Sequence, residues 1–154
     1  MVLTEKEKST IKDLQTQEQE CIKKYETYAN QACDAELKDL FNQLKENEQQ
    51  HYNSLQQVLD GQVPSCDCND DKGRNYSPKG TYNGCGCADQ TSKDKDCFLA
   101  TDSIGTEKMV SGEYNSDVFA FGDSDIRKLL ADIQIEEQNH AEMLYKYKQV
   151  NGMS

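Results

Sequence analysis

Tryptophan is missing from this chain, and only 35% of its residues are hydrophobic. A core built from so little apolar material has to be narrow, which suits a single helical domain over residues 1–154. No window approaches 18 consecutive apolar residues, so no segment reads as a membrane-spanning helix. The opening MVLTEKEKST lacks the hydrophobic region of a signal peptide, and the expectation is a protein made soluble in the cytoplasm. Positive charge is scarce: 17 Lys and Arg stand against 28 Asp and Glu, a net charge of −11. That balance argues against nucleic acid and membrane as partners and suits the binding of cations, although part of it is a solvated surface. Histidine is rarer still, with two in the whole chain.

Each histidine follows a glutamate by three residues, Glu48 and His51 in ENEQQHYNSL, Glu137 and His140 in EEQNHAEML. The two pairs are 89 residues apart, and the same shift carries Asp13, Glu18, Tyr25, Asp34, Leu40, Gln49 and Leu55 onto Asp102, Glu107, Tyr114, Asp123, Leu129, Gln138 and Leu144. The chain is two copies of one unit.

Helical periodicity defines the unit. Thr4 and Glu7 form a capping box, and central positions then recur at Ile11, Leu14, Glu18, Ile22, Tyr25, Ala29 and Ala32. After a short turn at Cys33 and Asp34, a second stripe follows Leu37, Leu40, Leu44, Glu48, His51, Leu55 and Val58, ending at Gly61 with Pro64 beyond. Residues 62–93 lose this periodicity and are rich in Gly, Asn, Asp, Ser and Cys. A third helix is expected from Asp94 along Phe98, Ile104, Glu107, Val110, Tyr114, Val118 and Phe121, weakened by Gly105 and Gly112 at roughly 1 kcal/mol each. Gly122 and Asp123 repeat the short turn, and a fourth helix carries Ile126, Leu129, Ile133, Glu137, His140, Leu144 and Tyr147 to Asn151 and Gly152. Two hairpins result, 4–61 and 94–151, joined by a connector of ~32 residues. At ~3.3 Å per residue the connector can run the ~40 Å length of a helix, which permits a crossover between parallel second and third helices.

Each stripe is interrupted midway by ionisable residues: Glu18, then Glu48 with His51, then Glu107, then Glu137 with His140. Four carboxylates without counter-charge repel one another and resist burial. Two divalent cations would neutralise them and leave one imidazole for each metal. One Glu from each of two helices, with Glu-x-x-His from each of the other two, is the ligand pattern of di-iron and di-manganese bundles. Mixed carboxylate and imidazole ligands suit Fe first, with Mn or Zn as alternatives. Tyr25 and Tyr114, two turns beyond Glu18 and Glu107, read either as partners of site carboxylates or as core residues with a bonded hydroxyl.

Seven cysteines cannot all pair within one molecule. Cys66 with Cys68 and Cys85 with Cys87 form two Cys-x-Cys pairs in the connector. They read as a Zn or Fe site, as disulfides between molecules alongside exposed Tyr76 and Tyr82, or as free thiols. Cys21 and Cys33 are expected as small core residues.

With LTEKE, KYETYANQACDAELKDLFNQL, EQQHYNSLQQVLDGQVP and DSDIRKLLADIQIEEQNHAEMLYKYKQVNGM in view, the chain resembles the ferritin-like superfamily. It is most similar to the coat F type of spore coat protein from endospore-forming bacteria. The resemblance implies an all-α ferritin-like four-helix bundle with Glu18, Glu48, His51, Glu107, Glu137 and His140 as ligands. It also implies oxygen or peroxide chemistry at a di-metal centre, as in ferritins and rubrerythrins, a spore coat location, and association with other coat proteins or with itself as a homo-oligomer, with disulfides between connector thiols as one route. Two departures from the rubrerythrin pattern weaken the expectation of peroxidase activity: Val110 stands where that family has a further glutamate, and the rubredoxin-type Cys-x-x-Cys motifs are absent. Three readings follow: a metal-stabilised structural coat component, an oxidoreductase at the same centre, and a metal-free bundle that leaves the buried carboxylates unexplained.

Overall fold

The computed structural model describes residues 1–82 and 89–153, which contain helices, one short 3-10 turn and no strand. Four long helices dominate: α1 (Glu5–Gln31), α2 (Ala35–Leu59), α4 (Gln90–Asp117) and α5 (Ser124–Val150), with the five-residue α3 (Asp71–Asn75) in the connector. Every long helix begins at a side-chain cap. Thr4 and Glu7 close the expected box on α1, while Asp34, Asp89 and Asp123 accept from the first-turn amides of α2, α4 and α5. Such caps stabilise by about 1 kcal/mol each.

Contacts along the helices fix the topology. Lys24 meets Asp102, Tyr28 meets Asp102 and the Cys33 amide meets Asp96, so α1 and α4 run antiparallel. Asn47 meets His140 while His51 meets Glu136, so α2 and α5 are antiparallel too. Within the first hairpin Gln15 reaches Gln56. It follows that α2 and α4 are parallel, and the bundle has the ferritin-like crossover. Buried apolar side chains fill both ends, with Ile11, Leu14, Leu55, Val58 and Ile126 at one and Leu37, Leu40, Phe41, Leu99 and Tyr147 at the other. The repeat survives as a twofold relation: the Asp96 carboxylate accepts from the Cys33 amide at 2.8 Å, and its counterpart Glu7 reaches the Gly122 amide at 3.5 Å.

Several local expectations need correction. The third long helix starts at Gln90, four residues before Asp94, because Asp89 caps it by accepting from the Ser92 amide at 2.7 Å. Phe98 is 67% exposed. It lies nine residues before Glu107, about two and a half helical turns, and therefore on the opposite face. The buried stripe instead runs through Asp96, Leu99, Ala100, Ser103, Glu107, Val110 and Tyr114. Cys33 is exposed, whereas Cys21 is buried as expected.

The described part of the connector is not loose. It follows α5 from one end of the bundle to the other. The Gly73 amide donates to Asn139 Oδ1 at 2.8 Å, Asn139 Nδ2 donates back to the Asn69 carbonyl at 2.7 Å, and Lys146 Nζ donates to the Gly73 carbonyl at 2.6 Å. Farther on, the amides of Thr81 and Tyr82 donate to Asn151 Oδ1. Tyr76 and Tyr82 are half-buried, and the Tyr82 hydroxyl donates to Asp96 at 2.6 Å, so neither is the exposed tyrosine expected for cross-linking.

The glycines of two helices separate by environment. A Cβ at Gly112 would meet nothing within 4 Å, whereas one at Gly73 would lie 2.5 Å from Glu142 Oε2 and 2.8 Å from Asn139 Oδ1. Gly112→Ala is expected to stabilise the protein by roughly 0.5–1 kcal/mol, because it removes backbone freedom only from the unfolded chain. Gly73→Ala is expected to destabilise it by loosening the connector from α5. Urea denaturation of the two variants checks both signs.

Candidate metal centre

Midway along the bundle the apolar stripes give way to six buried ionisable side chains. Glu18, Glu48, Glu107, Glu137, His51 and His140 are each no more than 3% exposed. They fall into two overlapping sets of four, Glu18, Glu48, His51 and Glu137, and Glu48, Glu107, Glu137 and His140, with ligand atoms in each set within 4.8 Å of one another. Glu48 and Glu137 belong to both sets, and the twofold relation exchanges them.

In the first set His51 Nδ1 lies 2.9 Å from Glu137 Oε1, 3.3 Å from Glu48 Oε2 and 3.7 Å from Glu18 Oε1. In the second, His140 Nδ1 lies 2.9 Å from Glu48 Oε1, 3.4 Å from Glu107 Oε1 and 3.9 Å from Glu137 Oε2. The imidazoles stack with centroids 5.9 Å apart. His51 Nδ1 and Glu48 Oε2 form a hydrogen bond, but Glu18 Oε2, Glu48 Oε1, Glu107 Oε2, both oxygens of Glu137 and His140 Nδ1 are buried without a hydrogen-bond partner. Buried polar atoms are normally satisfied, and a convergent group of unsatisfied oxygens and an imidazole nitrogen is the donor set that a pair of divalent cations requires. The residues fit the group.

The next layer holds these side chains in place. The Tyr25 hydroxyl on α1 donates to Glu107 on α4, and the Tyr114 hydroxyl on α4 donates to Glu18 on α1. Burial, then the neighbouring carboxylate charges, hold both phenols well above their ordinary pKa, so they remain donors. Behind the histidines stand residues that the repeat pattern alone did not single out. His51 Nε2 meets Glu136 Oε2 at 2.7 Å, and His140 Nε2 meets Asn47 Nδ2 at 3.3 Å. Asn47 and Glu136 are themselves related by the 89-residue shift, each directly before a Glu-x-x-His glutamate, and that recurrence was the available signal. Burial opposes ionisation of Glu136, but His51, Cys68 and Lys72 outweigh it and lower its pKa. An ionised Glu136 accepts from His51 Nε2 and turns Nδ1 toward the carboxylates.

An open groove of about 570 Å³ lies between α1 and α4 over this cluster. Cys21 and Val110, related by the same shift and both buried, line it one turn from Glu18 and Glu107. Burial first, then the charges of Glu48, Glu18, Glu107 and Glu137, raise the Cys21 thiol pKa.

The connector cysteines are only partly within view. Cys85 and Cys87 lie outside the described residues. The Sγ atoms of Cys66 and Cys68 are 3.1 Å apart, and Cys68 Sγ donates to Glu136 Oε1 at 3.0 Å. Among the described residues these thiols join no metal-ligand set.

Comparison with known proteins agrees with this architecture. Residues 2–59 match the family model of Rubrerythrin, and residues 95–154 match that of the Coat F domain. Each match covers one hairpin and its half of the cluster. No curated protein and no solved structure matches the chain. No helix among the described residues is long and apolar enough to cross a membrane.

Without metal, the cluster must hold protons. Burial, then the Glu48 charge, push Glu18 from its ordinary 4.5 up to about 8. For His140, burial works downward, but Glu107 and Glu48 outweigh it and push it from 6.5 up to about 10. Both groups bind protons more tightly in the folded state. Their stabilisation is complete below the unfolded values and is lost as pH rises through the folded ones, Glu18 between about 4.5 and 8, His140 between about 6.5 and 10. The thermal midpoint of the metal-free protein is therefore expected to fall from pH 5 to pH 9. Because metal binding displaces those protons, the added stability on loading with metal is expected to be larger at pH 8 than at pH 5. A metal-free midpoint that rises across this range would contradict the assignment of the cluster.

Proposed function

We propose that this chain, which takes its place with the coat F and rubrerythrin branches of the ferritin-like superfamily, holds two divalent metal ions in one domain of the spore coat. Iron is the first choice, with manganese or zinc as competitors. Glu18 and His51 would hold one ion and Glu107 and His140 the other, with Glu48 and Glu137, which belong to both sets, within reach of either. The observation that carries this reading is the convergence of unsatisfied, buried carboxylate oxygens between the two histidines. Four negative charges and two neutral imidazoles are balanced by two divalent cations, which converts a repulsive core into a cross-link among all four long helices.

The Coat F match supports a structural role in the spore coat, with self-association or other coat proteins as partners. A second reading is favoured by the groove over the cluster: an oxidoreductase of the ferritin or rubrerythrin kind, acting on oxygen, peroxide or ferrous iron at the same centre. Bound iron would supply the one-electron chemistry. The chain's own residues position it: Tyr25 and Tyr114 hold Glu107 and Glu18, Glu136 and Asn47 orient His51 and His140, and buried Cys21 and Val110 line the groove one turn from Glu18 and Glu107.

Elemental analysis of the purified protein tests the reading. Two Fe or Mn per chain are expected, and the double variant Glu48→Ala with His51→Ala is expected to lose both, since Glu48 belongs to both sets. Zinc that survives the double variant would shift attention to the connector cysteines, and a stable helical protein that binds no metal would refute the dinuclear site.

A further inference from the structure

We infer that Cys66 and Cys68 form a redox-active dithiol that returns two electrons to the metal centre through Glu136 and His51. The inference rests on the oxidoreductase reading and adds the source of electrons. The connected atoms form a short chain: the two Sγ atoms are 3.1 Å apart, Cys68 Sγ donates to Glu136 Oε1 at 3.0 Å, and Glu136 Oε2 meets His51 Nε2 at 2.7 Å. His51 Nδ1 then faces the carboxylates, 2.9 Å from Glu137. A disulfide needs about 2.05 Å between the sulfurs, so closing the bond asks for a movement of about 1 Å in a half-buried loop.

Glu136 is 6% exposed, yet it is not placed there by packing alone. Its carboxylate faces a thiol and an ammonium, Lys72 Nζ at 2.9 Å, both from the connector, and the imidazole of a candidate ligand on its other side. The twofold relation supplies a control within the molecule. The equivalent residue on the other half is Asn47, whose amide meets His140 Nε2 at 3.3 Å. Among the described residues, the repeat therefore diverges where Cys66 and Cys68 meet the centre.

The step balances as follows. Two S–H bonds break and one S–S bond forms between Cys66 and Cys68. Both protons leave to solvent. Two electrons pass toward the centre, and their final acceptor is a hydroperoxide whose O–O bond is cleaved. With hydrogen peroxide the sum is dithiol plus peroxide to disulfide plus two waters. Thiol oxidation coupled to such an acceptor is within the ordinary chemistry of cysteine.

The test uses the full chain loaded with iron(II), thiols reduced, and one equivalent of hydrogen peroxide under anaerobic conditions. Alkylation followed by peptide mass measurement reads the state of Cys66 and Cys68. The expected result is an intramolecular disulfide formed at least tenfold faster than in the metal-free protein. Cys68→Ala leaves every ligand untouched. Its oxidised centre, followed by visible absorption, is expected to persist at least tenfold longer than that of the unmodified chain. Peroxide consumption with Cys66 and Cys68 still reduced overturns the dithiol and leaves the oxidoreductase reading standing, as do equal thiol oxidation rates with and without iron. An iron-loaded chain that does not consume peroxide overturns both.

Discussion

Four carboxylates buried at the centre of a narrow apolar bundle set the terms for everything around them. Left ionised and uncompensated they would repel one another in a medium that screens poorly, so the structure must supply positive charge at that level. The two histidines do so when protonated, and two cations do so better. The apolar layers at either end keep water from taking that role, and the phenols of Tyr25 and Tyr114 hold the outer glutamates at the distance the centre needs.

Much of this was legible in the sequence because both the helical period and the 89-residue shift are strong signals. Two Glu-x-x-His pairs and two lone glutamates on apolar stripes identified all six side chains that the fold brings together. What escaped was whatever depends on one helix reaching another. Glu136 and Asn47 sit beside the ligand positions in sequence, but their partners lie on the facing helix, and register between helices is not written in periodicity. The membership of Glu48 and Glu137 in both sets was hidden for the same reason.

The third long helix shows the opposite failure. Phe98 invited placement in the core by its character, while the residues that enter it, Asp96 and Ser103, are polar. Asp96 is buried because it takes the amides of Cys33 and Asp34 and the Tyr82 hydroxyl, tying the first turn, the connector and α4 into one node. The connector likewise owes its order to single polar partners, Asn139, Lys146 and Asn151 on α5, rather than to any hydrophobic pattern of its own.

The twofold relation between the hairpins has a corollary. Each set of four ligands draws on both hairpins, so neither hairpin can complete a site alone, but two identical hairpins paired about the same axis would complete both. The architecture is that of a symmetric pair of hairpins made continuous in one chain, with the crossover segment as the join. The two halves of one chain need not be identical. A substitution confined to one half, such as glutamate at 136 opposite asparagine at 47, lets a single polypeptide differentiate two sides of a centre that a homodimer would be obliged to build twice alike.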